Sequence, residues 1–379
     1  MKPSSKIRVA VLYGGRSAEH EVSLQSASNV IKHLDPSRYE VIPIGIDKQG
    51  KWFLGKDVFA NSLEQNVVSH LPGDGHAWFA PEWIGNPADG KHINEIMTYT
   101  AGAHFDVVFP VVHGTLCEDG TLQGLLEIAG LPFVGCAVLS SAIGMDKDVA
   151  KRLALSGGIR VAPYLVIKRN RWQHNREHYA KQIAEHLSYP VFVKPSNAGS
   201  SIGISKVKNA SELEAAVDDA LRFDTKILVE KGLNVIELEV AVLESLEENT
   251  DPIVSVVGEI RPSHEFYSYD AKYVDENGAQ AFIPAPVSDA ICEEARRMAK
   301  KLFETLECEG MARVDLFLNK DDNQIYFNEI NTLPGFTKIS MYPKLMEASG
   351  MSYSDLLTHL IQLAIKRHQL KSQLIRSCI

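Results

Sequence analysis

Strand and helix signals alternate over roughly the first 130 residues, mix in an α+β pattern through the middle and give way to strands beyond Glu237, which restricts the chain to few architectures. Ile7 to Tyr13 is an apolar run ending in Gly14-Gly15, the pattern of a buried strand and a tight turn. Ser17 is placed to cap the next helix, with Glu19 and Glu21 in its first turn, where the macrodipole favours acids. Tyr39 to Ile46 and Phe105 to Val112 read as further strands, and Leu122 to Ala129 as an amphipathic helix. Residues 50–100 are irregular. The alternation predicts a parallel α/β unit with a site at its strand ends.

The middle of the chain changes character. Asp146-Lys147 opens a helix that Gly157-Gly158 stops, and Tyr179 to Leu187 and Ser211 to Leu221 are further helices. Pro190 to Lys194 and Gly203 to Val207 read as a hairpin around a small, polar segment, Pro195 to Ile202, and Lys226 to Glu230 as another strand. This is an α+β pattern. Beyond Glu237 strands dominate (Leu238 to Leu243, Ile253 to Ile260, Ala312 to Leu318, Ile325 to Asn328), crossed by a helix at Asp289 to Leu306. A final helix starts near Ser354. The 379 residues suffice for two or three domains, placed here at 1–138, 139–233 and 234–379.

A net charge of -9 removes the basic footprint of a general nucleic-acid binder. Only Lys366 to Arg376 is locally basic, and it reads as a solvated terminal helix. The five cysteines, at 117, 136, 292, 308 and 378, form neither a CxxC pair nor a Cys/His cluster. Scattered thiols, the lack of a signal-like apolar stretch and the lack of a membrane-length segment lead us to expect a cytoplasmic protein.

Five constellations carry possible chemistry. Arg313 and Asp315 share one strand face, and Glu329 and Asn331 share another about fourteen residues on. In a hairpin, Asp315, Glu329 and Asn331 converge, as oxygen ligands for magnesium or as a salt-bridged sheet face. The loop Ser196 to Ile202 can wrap phosphate with its backbone amides or be a plain hairpin. Lys147 and Lys194, beside it, can act as point charges on phosphate or be ordinary surface lysines. Glu230-Lys231-Gly232-Leu233, followed by Glu237, can read an adenine edge and ribose hydroxyls, or link domains. Phe266 to Tyr273 is an ordered loop over a site or an aromatic edge strand. Asn331 to Ser340 contains a Pro-Gly turn able to aim an amide at an oxyanion, or an ordinary turn. No GxGxxG, GxSxG, HExxH or Walker loop is present.

In this order these segments resemble the ATP-grasp superfamily and, within it, the D-alanine–D-alanine ligase family. The most specific are Gly14 to Ser23, His113 to Gly120 and Asn328 to Ser340. The resemblance implies a Rossmann-like parallel α/β domain followed by two ATP-grasp subdomains. It also implies ATP bound by Lys147, Lys194, Ser201, Glu230, Lys231, Leu233 and Glu237. Two magnesium ions, or manganese, would sit on Asp315, Glu329 and Asn331. Glu19, with Ser200 and Tyr273, would receive the ammonium of a first D-alanine, and His113 would lie nearby. Arg313 and the Gly335 amide would form an oxyanion hole, Lys272 would steady the phosphoryl group, and Ser340 would take the second carboxylate. Met341 would suit a methyl in that second pocket, and Tyr273 would favour a dipeptide over a D-lactate ester. A homodimer is implied as well. Three rivals use part of this set: another ATP-grasp enzyme, a nucleotide-binding sensor, and a dinucleotide enzyme. The first predicts no use for Glu19 and Tyr273, the second none for an oxyanion donor, and the third lacks its glycine fingerprint.

Overall fold

The computed structural model describes residues 6–54, 77–79, 105–262 and 279–375. Three sheets organise them. In the first, strands β1 (Ile7–Gly14), β2 (Tyr39–Ile46), β3 (Trp52–Leu54), β4 (Ala77–Phe79) and β5 (Val107–Pro110) lie in the order β4-β3-β2-β1-β5. β1 runs parallel to both β2 and β5, as the alternation predicts. The hairpin-like β3 and β4 extend the sheet antiparallel. Helix α1 (His20–His33) connects β1 to β2. Ser17 is not its side-chain cap. Glu19 holds the N-cap position, ahead of the helix, and Ser17 Oγ accepts from the Glu19 amide and donates to His113 O. Helices α2 (Thr121–Ile128) and α3 (Val138–Met145) follow β5.

Helix α4 (Lys147–Ser156) begins at an Asp146 cap that accepts from the Asp148 and Val149 amides. The second sheet is antiparallel: β6 (Tyr164–Lys168), β7 (Val191–Pro195), β8 (Ser205–Val207) and β9 (Lys226–Lys231), in the order β6-β9-β7-β8. Helices α5 (Arg169–His174), α6 (Arg176–His186) and α7 (Ala210–Ala220) cover it. This layer has its own core, centred on Ile167, Trp172, Ile183, Val193 and Val229.

The third sheet is antiparallel, in the order β12-β11-β10-β13-β14. Its strands are β10 (Val235–Leu243), β11 (Ile253–Pro262), β12 (Ala279–Phe282), β13 (Met311–Asn319) and β14 (Gln324–Asn331). Helix α8 (Asp289–Thr305) packs across it. Helices α9 (Met341–Ala348) and α10 (Tyr353–Ser372) close the chain.

Packing ties the ends of the sequence together. Val9, Tyr13 and Phe109 of the first sheet share a core with Phe336, Tyr342, Leu356 and Leu360. Phe109 meets Phe336 edge-on at 5.6 Å, which seats the Pro334-Gly335 turn against β5. Ala150 and Ala154 of α4 pack with the third sheet rather than the second. The basic end of α10 is half-buried to exposed, in keeping with a solvated terminal helix, but its cations also anchor it. Arg367 donates to the Phe133 and Gly135 carbonyls at 2.7 Å each, and Lys371 pairs with Glu127 at 2.9 Å.

Candidate active site

The β13–β14 hairpin has the register that side-chain alternation requires. Arg313 faces Asn331, and Asp315 faces Glu329. The neighbouring β10 places Glu239 beside Asp315. Arg313 donates to both Asp315 oxygens at 2.7 Å and lies 3.1 Å from Glu239. The salt-bridged face is therefore real. Burial works against the Arg313 charge, but Asp315 and Glu239 outweigh it and hold the guanidinium well above its usual range.

Three carboxylates against one guanidinium leave this face acidic. Glu329 is partly exposed and sits 3.2 Å from Lys147 Nζ. Asn331 Oδ1 accepts from the Leu333 amide at 2.9 Å and so shapes the start of the turn to Gly335. Among the described residues no three His, Cys, Asp or Glu side chains already form a metal cage. Two carboxylates and an amide oxygen instead suit a hard cation that completes its shell with phosphate oxygens. The donor set fits magnesium.

The loop from 196 to 202 meets this face and the first sheet together. Lys147 Nζ donates to Ala198 O at 2.7 Å, and the Lys147 amide donates to Ser196 O. Asp146 anchors the loop by accepting from Ser196 Oγ at 2.8 Å and from Lys226. At its tip Ser200 donates to Glu19. Ser200 and Ser201 both adopt left-handed φ, of 50° and 58°, which is uncommon for a residue with a side chain.

Glu19 is buried between that loop and the end of β5. Gly114 has φ 78°, and a Cβ there would come 2.7 Å from Glu19 Oε2. Only glycine lets the chain pass the carboxylate so closely. His113 Nδ1 lies 3.4 Å from Glu118, while Nε2 is 3.3 Å from Ser26 Oγ, which accepts from the Phe336 amide. Burial opposes charge on His113, but Glu118 and Glu19 carry its pKa upward. Burial also raises that of Glu118. Both groups hold protons to higher pH than usual.

The His113 network ends at the Gly335 turn. A Cβ on Gly335 would sit 2.9 Å from Ser340 Oγ, and that hydroxyl accepts from the Thr337 amide at 3.0 Å. Met341 is buried in the core with its methyl end against Gly258, so the structure gives it a packing role.

Lys194, the penultimate residue of β7, donates to Glu230 Oε2 at 2.6 Å. Glu230 is 2 % exposed and also accepts from Lys151 at 2.8 Å. Burial would raise its pKa, yet the two ammonium groups bring it to about 2. Lys231 is exposed beside it, and Leu233, on the connection into β10, and Glu237, within β10, are half-buried. Lys272 and Tyr273 lie outside the described residues. Sequence reasoning misses Glu239 and Lys151. A signal existed for the second: Lys147 and Lys151 are four residues apart, on one face of α4.

A family model described as "D-ala D-ala ligase C-terminus" matches residues 153–362, and one described as "D-ala D-ala ligase N-terminus" matches 8–136. The chain belongs to the D-alanine–D-alanine ligase family. This ligase is 51% identical to D-alanine–D-alanine ligase A of Bradyrhizobium diazoefficiens, over 98% of this chain and 99% of that one. It is 46% identical to D-alanine–D-alanine ligase A of Escherichia coli K12, over 96% and 97%. Among solved structures it resembles the VanG D-Ala:D-Ser ligase of Enterococcus faecalis, with TM-score 0.78, 36% identity and coverage of 95% and 100%. It also resembles the D-alanine–D-alanine ligase of Coxiella burnetii, with TM-score 0.77, 34% identity and coverage of 98% and 98%. Membership makes the protein an ATP-dependent ligase with the expected ATP-grasp fold.

Proposed function

We propose that this ligase joins two D-alanine molecules into D-alanyl-D-alanine, releasing ADP and phosphate, for cell-wall precursor synthesis. The observation that carries the reading is the Glu19–Ser200 contact, which brings a buried carboxylate, the small-residue loop and the His113 network to one point. Glu19 is a ready acceptor for an ammonium group. Arg313 lies on the acidic face opposite Asn331, whose side chain starts the turn to Gly335.

A carboxylate is a poor electrophile because oxide is a poor leaving group. Transfer of phosphate from ATP to the first D-alanine gives an acyl phosphate, which the second amine can attack. Asp315, Glu329 and Asn331 would hold magnesium, or manganese, which neutralises phosphate charge when bound. Lys147, Lys194 and Ser201 would orient the nucleotide phosphates, with Glu230, Lys231, Leu233 and Glu237 lining the base and ribose side. Arg313 and the Gly335 amide would stabilise the tetrahedral oxyanion. Ser340 would receive the second carboxylate, held in place by Thr337. Lys272 and Tyr273 complete the reading as phosphoryl and first-substrate residues. A cytoplasmic homodimer, without nucleic-acid or membrane partners, belongs to the same proposal, as does the division at 138 and 233.

Phosphate release with D-alanine, D-serine, D-lactate and L-amino acids tests it. D-alanine alone should drive ATP turnover and yield the dipeptide. No turnover with D-alanine would overturn the reading. The likeness to a D-Ala:D-Ser ligase gives the D-serine arm its purpose, and a mixed product there would assign the second pocket to serine.

A further inference from the structure

Lys151 has no part in the chemistry above, yet it is among the most deeply buried side chains, at 1 % exposure. Placing a lysine there costs desolvation energy, and an apolar residue of similar volume is the usual solution. Its ammonium donates to Glu230 Oε1 at 2.8 Å and to Phe327 O at 3.3 Å. Lys194 donates to the other oxygen, Glu230 Oε2, at 2.6 Å. One buried carboxylate is thus shared by two buried cations, one oxygen each.

The charge count gives this arrangement its meaning. Lys194 and Glu230 alone would form a closed, neutral pair with little to offer an anion. Adding Lys151 leaves the cluster with one positive charge in excess. That excess cannot leave through Lys151, which is sealed beneath β14. It resides on Lys194, the member at the end of β7 that adjoins the loop. Lys147 adds to it without replacing it, because its charge is matched by Glu329 at 3.2 Å.

We propose that Lys151 is a positioning residue for the nucleotide: by sharing Glu230, it leaves Lys194 a net positive charge to present to phosphate. The role rests on the reading above that Lys194 lies in the ATP site. Burial lowers the Lys151 pKa, and the Lys194 charge lowers it further while Glu230 opposes. Two like charges held against one carboxylate behave in this way.

ADP binding to the full chain, followed by isothermal titration, tests the role. Lys151→Met should weaken ADP roughly tenfold or more, and its affinity should fall less steeply with salt. Lys151→Arg should retain most of the affinity. Because Glu230 is itself placed on the base and ribose side, Glu230→Gln alone is the reference for the deciding variant, Lys151→Met/Glu230→Gln, in which Lys194 no longer faces a carboxylate. On the Glu230→Gln background the lysine substitution should cost about threefold or less, against about tenfold on the parent. A purely structural lysine predicts the same loss on both backgrounds. That result, with the proteins folded by circular dichroism, overturns the proposal. Lys151→Gln, uncharged but able to donate to Glu230, replaces the methionine variant if the latter unfolds and is expected to weaken ADP similarly. Lys194→Met separates the two claims. If it leaves ADP affinity unchanged, the ATP-site reading fails rather than the role of Lys151.

Discussion

Asp315 and Glu329 face each other across β13 and β14 but sit in different electrostatic settings. Asp315 is held at both oxygens by Arg313, which also lies against Glu239. Removing Arg313 would leave two largely buried carboxylates uncompensated. Arg313→Met is expected to lower stability by about 3–5 kcal/mol and to abolish turnover. Glu329 is more exposed, and its Lys147 contact is replaceable by water. Glu329→Gln should abolish ATP turnover while changing stability by about 1 kcal/mol or less. Thermal melts and phosphate release on both variants decide the matter. A Glu329→Gln protein as destabilised as Arg313→Met would reduce the acidic face to a structural salt bridge. Asp315, Glu329 and Asn331 were legible in sequence because period-two alternation within one hairpin fixes their common face. Glu239 was not, because its contact arises from strand pairing between distant segments, and for Lys151 the four-residue spacing from Lys147 marked only a shared helix face, not the Glu230 it meets.

At the scale of elements, the loop from 196 to 202 and helix α4 share one anchor. Asp146 caps the helix through two amides and also holds Ser196 and Lys226. Burial would raise its pKa, but Lys226, Ser196 and the Val149 amide hold it below the usual carboxylate range. A depressed folded-state value means that the stabilisation is fully present above the unfolded value, about 3.9. It disappears as pH falls through the folded value. Asp146→Ala should therefore cost about 1–2 kcal/mol at pH 7 and raise KM for ATP, since Lys147 and the loop lose a common support. In urea melts the gap between variant and parent should persist down to about pH 4 and close below it. A gap that stays constant through acid would exclude the Asp146 charge as its source. Most elements were legible because Gly, Asp and Ser punctuate amphipathic runs. Helix α3 was not, since it is apolar on several sides where it packs between α4 and β14. Helix α9 carries Pro343 in its first turn, which conceals the helical pattern although the missing amide is tolerated there.

Over the whole molecule, sequence order and packing order diverge. The sequence suggests an N-terminal unit that ends near residue 138. In the folded chain, β1 and β5 bury Val9, Val11, Tyr13 and Phe109 against α9, α10 and the Phe336 turn. No reading of local periodicity could place the last helix on the first sheet, because the contact joins opposite ends of the chain. The consequence is physical: residues 1–138 alone would expose one face of their sheet to water, a loss on the scale of several side chains at about 1.5–3 kcal/mol each. The second sheet differs, since Ile167, Trp172, Ile183 and Val229 pack among themselves and with α7. Expressed separately, residues 160–233 should melt cooperatively, whereas residues 1–138 should bind a hydrophobic dye and melt without a sharp transition. Circular dichroism and dye fluorescence on the two fragments make the comparison. A cooperative melt of residues 1–138 would show that the shared core is dispensable. The Gly335 turn and His113 would then owe their proximity to the β5 end alone rather than to the helices that clamp Phe336 behind them.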